Sequence, residues 1–114
     1  MYFTYVLTSG KDNKLYIGYT SNLKSRLKKH DSGKVFATKD RLPLKLIYCE
    51  LCLNKYDAIK REKYFKTGFG RRFLKNRLEN YNKSQARDGG QVRERQKVKV
   101  VLKGKKIIIE DWKK

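Results

Sequence analysis

Acidic residues, histidine and cysteine are all scarce in this chain, and each scarcity excludes something. One histidine and two cysteines fall short of the four Cys and His ligands of a structural zinc site. The cysteines, Cys49 and Cys52, form a lone C-x-x-C inside the apolar, β-like run from Leu46 to Leu53. Positions three apart on a strand face opposite sides of the sheet, whereas a redox C-x-x-C opens a helix, so both read as small packing residues. No stretch approaches the ~18 consecutive apolar residues of a membrane-spanning helix. The segment Met1 to Leu7 is apolar, yet it lacks a basic leader and a small-residue cleavage site. It is not expected to be a signal peptide, and a cytoplasmic protein is the expectation.

The shortage of acid is the loudest of these absences. Eleven acidic residues face 30 basic ones, a formal net charge of +19. Self-repulsion of that size opposes folding, and a polyanionic partner explains why it is kept. Nucleic acid is the first candidate, with an anionic membrane surface or a generic basic coat as the alternatives. A membrane-binding helix would gather lysines opposite an aromatic or leucine face. Here the cations are spread: 19 basic and 7 acidic residues up to Tyr81, then 11 and 4 from Asn82 to Lys114. A hydrophobic share of 39% is enough for the core of one domain, and the length leaves no room for two.

Phe3 to Ser9 is rich in aromatic and β-branched residues, Gly10 to Asn13 is turn chemistry, and Leu15 to Thr20 resumes β character. This pattern predicts an antiparallel hairpin. Ser21 or Asn22 can cap a helix from Leu23 to Asp31 that ends at Ser32-Gly33. A polar loop through Pro43 leads to a third strand, about Lys45 to Leu53. Asn54 can cap a helix running to about Thr67, interrupted at Gly68, with a further break at Gly70 before a shorter helix from Arg71 to Tyr81. The order β-β-α-β-α-α predicts an α/β (α+β) domain over residues 1–81, a small three-stranded antiparallel sheet flanked by helices. Residues 82–114 read as a basic tail: a polar linker over Asn82 to Gln91, then a small hairpin flanking Lys103-Gly104-Lys105-Lys106.

Several polar residues occupy positions that packing alone would give to apolar ones. Leu23, Arg26, Leu27 and His30 share one stripe of the first helix. Arg26 could snorkel at its edge and His30 could cap the helix end, or the two could project together into a site. Glu62 interrupts an apolar stripe of Ala58, Ile59, Phe65 and Phe69 and needs either an arginine or a metal ion. Asn76 borders the apolar face of the last helix. Tyr5 and Tyr16 lie in the two hairpin strands, where single tyrosines commonly pack.

These residues coincide with a known signature. Thr4-Tyr5 stands where a tyrosine-ended motif closes the first strand, and Tyr16-Ile17-Gly18 is a literal YIG. Thr20, Asn22-Leu23-x-x-Arg26-x-x-x-His30, Gly33, Thr38 and Pro43 follow, then Leu46-Ile47-Tyr48-x-Glu50 and Ala58-x-x-Arg61-Glu62-x-x-x-Lys66. From Tyr2 to Tyr81 the chain resembles the GIY-YIG endonuclease superfamily. It is most similar to the small stand-alone bacterial GIY-YIG proteins and also to the nuclease domain of the excision-repair incision subunit. The first motif departs from the pattern, reading Phe-Thr-Tyr where the family name has Gly-Ile-Tyr, and the tail after Asn82 has no counterpart in it.

The resemblance implies a GIY-YIG fold and hydrolysis of phosphodiester bonds, in DNA above all, structure-dependent or non-specific and serving repair or recombination. It implies that Glu62 is the protein ligand of a single Mg²⁺ or Mn²⁺ ion, with water and phosphate oxygens completing the shell. Arg26 would clamp the phosphate, and a tyrosine, Tyr16 in preference to Tyr5, would orient or deprotonate the attacking water once nearby cations favour its phenolate. His30 would relay a proton or, when charged, bind phosphate. Asn76 matches the family's late asparagine. The rival reading is a non-catalytic nucleic-acid-binding module, for DNA or RNA, on the same fold; a third is a basic accessory protein of an RNA assembly.

Overall fold

The computed structural model describes residues 1–87, 98–103 and 106–111. Strands β1 (Tyr2–Ser9) and β2 (Leu15–Thr20) form the expected hairpin, and β3 (Leu44–Cys52) joins the other side of β1. The sheet is antiparallel throughout, in the order β2-β1-β3. Helix α1 (Leu23–Asp31) follows β2, and α2 (Lys55–Phe65), α3 (Gly68–Arg77) and α4 (Glu79–Arg87) follow β3. The three-stranded α+β architecture is therefore the one the sequence predicts. So is the pairing of β4 (Val98–Lys103) with β5 (Lys106–Asp111). Gly104 and Lys105, between those strands, and residues 88–97 lie outside the described residues.

Alternation along β1 divides the core in two. Phe3, Tyr5 and Leu7 point to one face, where Leu23 of α1 packs on them. Thr4 and Val6 point to the other, where Val6 joins Ile17, Phe65 of α2 and Leu74 of α3. Thr4 Oγ1 donates to the carbonyl of Ala58 at 2.8 Å and pins α2 to that face. Helix α1 thus covers one side of the sheet, and α2 with α3 covers the other. Cys49 pairs with Tyr5 and Cys52 with Tyr2, on opposite faces; both thiols are free, as their strand spacing requires.

The helix starts are set by side chains. Asn22 Oδ1 accepts from the Ser25 amide, Asn54 Oδ1 from that of Tyr56, and Thr67 Oγ1 from that of Gly70. The third cap starts α3 at Gly68, earlier than the glycines predict, so Gly70 lies inside a helix instead of breaking it. A Cβ at Gly70 would run into the backbone of Tyr64 and Phe65. The glycine is what lets α3 close on α2, and backbone cannot move aside as a flexible side chain can. Gly70→Ala should cost about 3 kcal/mol, the upper end of overpacking effects. Thermal denaturation should show Tm falling by more than about 10 °C.

Beyond Tyr81 the chain remains helical to Arg87, where a polar linker was expected from Asn82; the boundary expected at 81/82 falls inside α4. Polarity does not break helices. The residues from Asn82 to Arg87 tolerate one, and the Glu79–Lys83 pair at 3.3 Å supports it.

Candidate active site

Four of the six residues singled out in the sequence meet on the α1 face. Strand register puts Tyr5 opposite Gly18 and Tyr16 opposite Leu7, so both phenols lie on that side. The cap at Asn22 sets the phase of α1 so that Arg26 and His30, one turn apart, look down on them. The Tyr5 and Tyr16 ring centres are 6.3 Å apart, and His30 lies edge-on to both, at 5.7 and 5.1 Å.

A hydrogen-bonded chain runs through this cluster. Arg26 Nε–H donates to the Tyr5 phenol oxygen at 3.3 Å. The Tyr5 phenol is in turn hydrogen-bonded to His30 Nε2, 2.9 Å away. On its other side the imidazole Nδ1 is hydrogen-bonded to Thr38 Oγ1 at 2.8 Å, and the tautomer decides which group donates at each contact. Tyr5, His30 and Thr38 are all at most 1% exposed. This chain is a buried rod, with only the Arg26 end near solvent.

Burial decides the ionisation of its members. The Tyr5 phenol is pushed up to about 12 by loss of solvent, and the Arg26 hydrogen bond only partly offsets this. Near neutral pH this burial favours the protonated phenol of Tyr5. His30 is pushed down to about 4, by burial first and then by the charge of Arg26. Burial thus favours the neutral imidazole near neutral pH. Tyr16, half-buried, is the more accessible phenol of the pair.

The sign of the His30 shift gives a test. Between its ordinary value of 6.5 and about 4, the unfolded chain takes up a proton that the folded chain refuses. Stability should be complete above pH 6.5 and fall as pH drops through that window, at up to about 1.4 kcal/mol per unit. Urea denaturation of the wild type at pH 7 and pH 5 should show the loss. His30→Gln, though weaker throughout, should show little of it.

Gly18 and Thr38 are site residues to which the sequence assigned no task. An ideal Cβ at Gly18 would lie 2.5 Å from the Tyr5 hydroxyl oxygen and 2.7 Å from Cζ. The YIG glycine is the space through which Tyr5 crosses β2, and a glycine inside a strand is the one signal of it that a sequence carries. Gly18→Ala should cost about 1–3 kcal/mol. Because the clash is with Tyr5, thermal denaturation should show a smaller cost in a Tyr5→Phe background than in the wild type. Thr38 stood out in the sequence only as one position of the family signature, with no task attached to it.

Glu62 and Asn76 are carried by α2 and α3. Both belong to helices on the opposite face of the sheet. Asn76 is exposed on α3. On α2, Ala58 and Phe65 face the sheet, with Arg61 and Glu62 on opposite flanks of that stripe. Arg61 grips Glu50 of β3 with two hydrogen bonds of 2.8 and 2.9 Å, and its guanidinium lies over Tyr64, Phe65 and Phe73. Glu62, about 100° further round the helix, consequently faces the β2 side. No hydrogen bond links it to the Tyr5–His30 chain. Its ion-pair partner among the described residues is Lys66, at 3.9 Å.

Among the described residues no group of three or more His, Cys, Asp and Glu side chains could enclose a metal ion. None of the described helices is long and apolar enough to cross a membrane.

Residues 1–76 match the family model described as the GIY-YIG catalytic domain. Among curated proteins, a UPF0213 protein of Bacillus licheniformis is 47% identical over 66 residues, 57% of this chain and 67% of the relative. A UPF0213 protein of Staphylococcus haemolyticus is 45% identical over 58 residues, 50% of this chain and 71% of the relative. The UPF0213 protein YsiG of Lactococcus lactis is 48% identical over 66 residues, 57% and 62% of the two chains. No solved structure matches the chain.

Proposed function

The chain belongs to the GIY-YIG family, a family of nuclease type, and from this premise we propose that it is a metal-dependent endonuclease hydrolysing phosphodiester bonds in DNA. The observation that carries the reading is the state of Arg26. Its Nε–H is held by the buried Tyr5 phenol, while no carboxylate pairs with its guanidinium among the described residues. A fixed cation without an acidic partner among the described residues, on a chain of net charge +19, is suited to a phosphate. The remaining guanidinium N–H groups match two phosphate oxygens.

Tyr16, beside this arginine and more accessible than Tyr5, orients the attacking water. Tyr5, His30 and Thr38 hold Arg26 in place from behind and take no part in proton transfer. Glu62 supplies the carboxylate for a divalent ion. Its donor set fits Mg²⁺ or Mn²⁺ bound largely through water and substrate: a single partly buried carboxylate whose lysine partner is exposed and 3.9 Å away. When bound, such an ion supplies charge neutralisation at the phosphate and acidifies a water. Glu62 and the Arg26 group approach the sheet from opposite faces, both toward β2, an edge strand that carries no side chain at Gly18. DNA lying along that edge is within reach of both.

The activity is structure-dependent or non-specific, placed in the cytoplasm and in DNA repair or recombination. The rival reading is a clamp that binds nucleic acid without cutting it. The two readings are distinguished by incubating supercoiled plasmid, branched duplexes and single-stranded DNA with the full chain and Mg²⁺ or Mn²⁺, with and without EDTA. Nicks that need the metal support the nuclease. Salt-sensitive binding with intact DNA supports the clamp.

A further inference from the structure

The loop between α1 and β3 holds a residue that the mechanism does not use. Val35 and Thr38 are buried, at 7% and 0% exposure, yet Phe36 between them is 85% exposed. This exposure is not slackness of the backbone. The amides of Thr38 and Lys39 both donate to the Val35 carbonyl, at 3.1 and 2.9 Å, and the Arg41 amide donates to the Thr38 carbonyl at 2.9 Å. A tight turn, tied down on either side, presents a phenyl ring to water.

The ring's surroundings select its partner. Lys39 Nζ stands 5.0 Å from the ring centre, and Lys34 and Lys39 flank it in sequence. Five more cations, Lys24, Arg26, Lys28, Lys29 and Arg41, complete the stretch from Lys24 to Arg41, which holds two acids, Asp31 and Asp40. An apolar protein surface would be a poor match for a lone ring in a cationic field, whereas a nucleobase beside its phosphate offers a π-face and a negative charge together. Thr38, two residues on, bonds His30 at the end of the Arg26–Tyr5 chain. Phe36 therefore has its Cα within about 7 Å of that of Thr38 and is rigidly tied to the arginine proposed to hold the phosphate.

Resting on the nuclease reading above, we propose that Phe36 is a base-stacking residue that selects DNA with an unpaired or unstacked base close to the cut phosphate. A base in intact duplex is already stacked on both sides and offers the ring little. A base at a bulge, flap or single-stranded end is free to cover it. The loop then gives structure preference to a domain whose other contacts go to the backbone.

The test is binding, which does not depend on cleavage. Full chains carrying Phe36, Phe36→Ala, Phe36→Leu or Phe36→Trp are titrated without metal into three DNAs: a perfect duplex, the same duplex with a one-base bulge, and the single strand. 2-Aminopurine at the unpaired base reports stacking. Phe36→Ala and Phe36→Leu should bind the bulged and single-stranded DNAs about five- to 150-fold more weakly, the range expected for loss of one base–aromatic stack. Affinity for the perfect duplex should hold within about twofold. Phe36→Trp should bind as the wild type does and quench 2-aminopurine. Circular dichroism should be unchanged throughout, since the ring packs on nothing buried.

Equal affinities of wild type and Phe36→Ala for all three DNAs overturn the inference and leave the nuclease reading intact. So does recovery by Phe36→Leu, which would make the contact apolar and not a stack, as a protein partner would need. A wild-type chain that binds none of the DNAs overturns both.

Discussion

Arg26→Ala should lower the single-turnover nicking rate by at least about 10²–10³, the usual loss when one donor to a developing negative charge is removed. Two losses combine in this variant. The phosphate loses its planar clamp, and the Tyr5 phenol, fully buried, loses the donor that Arg26 Nε supplies at 3.3 Å. Arg26→Lys separates them. Lysine restores a charge without the fork, so little of the rate should return if the bidentate geometry matters. DNA affinity should fall far less than the rate, because Arg26 is one of 30 basic residues. The slope of log affinity against log salt should drop by about one phosphate contact. A rate loss matched by an equal affinity loss would make Arg26 an ordinary backbone contact.

The parts of this arrangement legible in the sequence are those that depend on local pattern. Period-two alternation in Tyr2–Ser9 and Leu15–Thr20 and the turn between them fixed the hairpin, and with it which faces Tyr5 and Tyr16 share. The 3.6-residue repeat of α1 put Arg26 and His30 on one stripe, and both do project inward. What alternation cannot show is depth. Tyr5 and Tyr16 read alike along the chain, yet only Tyr5 is closed off, because a helix covers it and a glycine makes room for it. The ionisation of Tyr5 and His30 follows from that depth, so it was illegible for the same reason.

Close approach between helices was misread as a break. Gly70 resembles a helix stop until the backbone of α2 is placed against it. The helix across Asn82 was missed because its side chains are polar, and polarity describes the solvent a segment faces rather than its backbone. The sidedness of Glu62 was likewise beyond the sequence. Its stripe on α2 points to the sheet, but which face receives α2 depends on the Thr4 hydroxyl binding Ala58, a contact spanning 54 positions.

That sidedness makes Glu62 the most exposed point of the account. If the carboxylate holds the ion that helps cleave the phosphate gripped by Arg26, Glu62→Gln removes the charge while keeping shape and volume. The helix should be unaffected, since the pair with Lys66 is a long 3.9 Å contact of a kind worth about 0.3–0.5 kcal/mol. The decisive measurement is therefore Mg²⁺-dependent single-turnover cleavage of a branched duplex by wild type and Glu62→Gln, at protein concentrations that saturate the DNA. The account predicts equal DNA binding with a rate lower by about 10²-fold or more in the variant. Equal cleavage by the two proteins would contradict it, and so would the absence of cleavage by either.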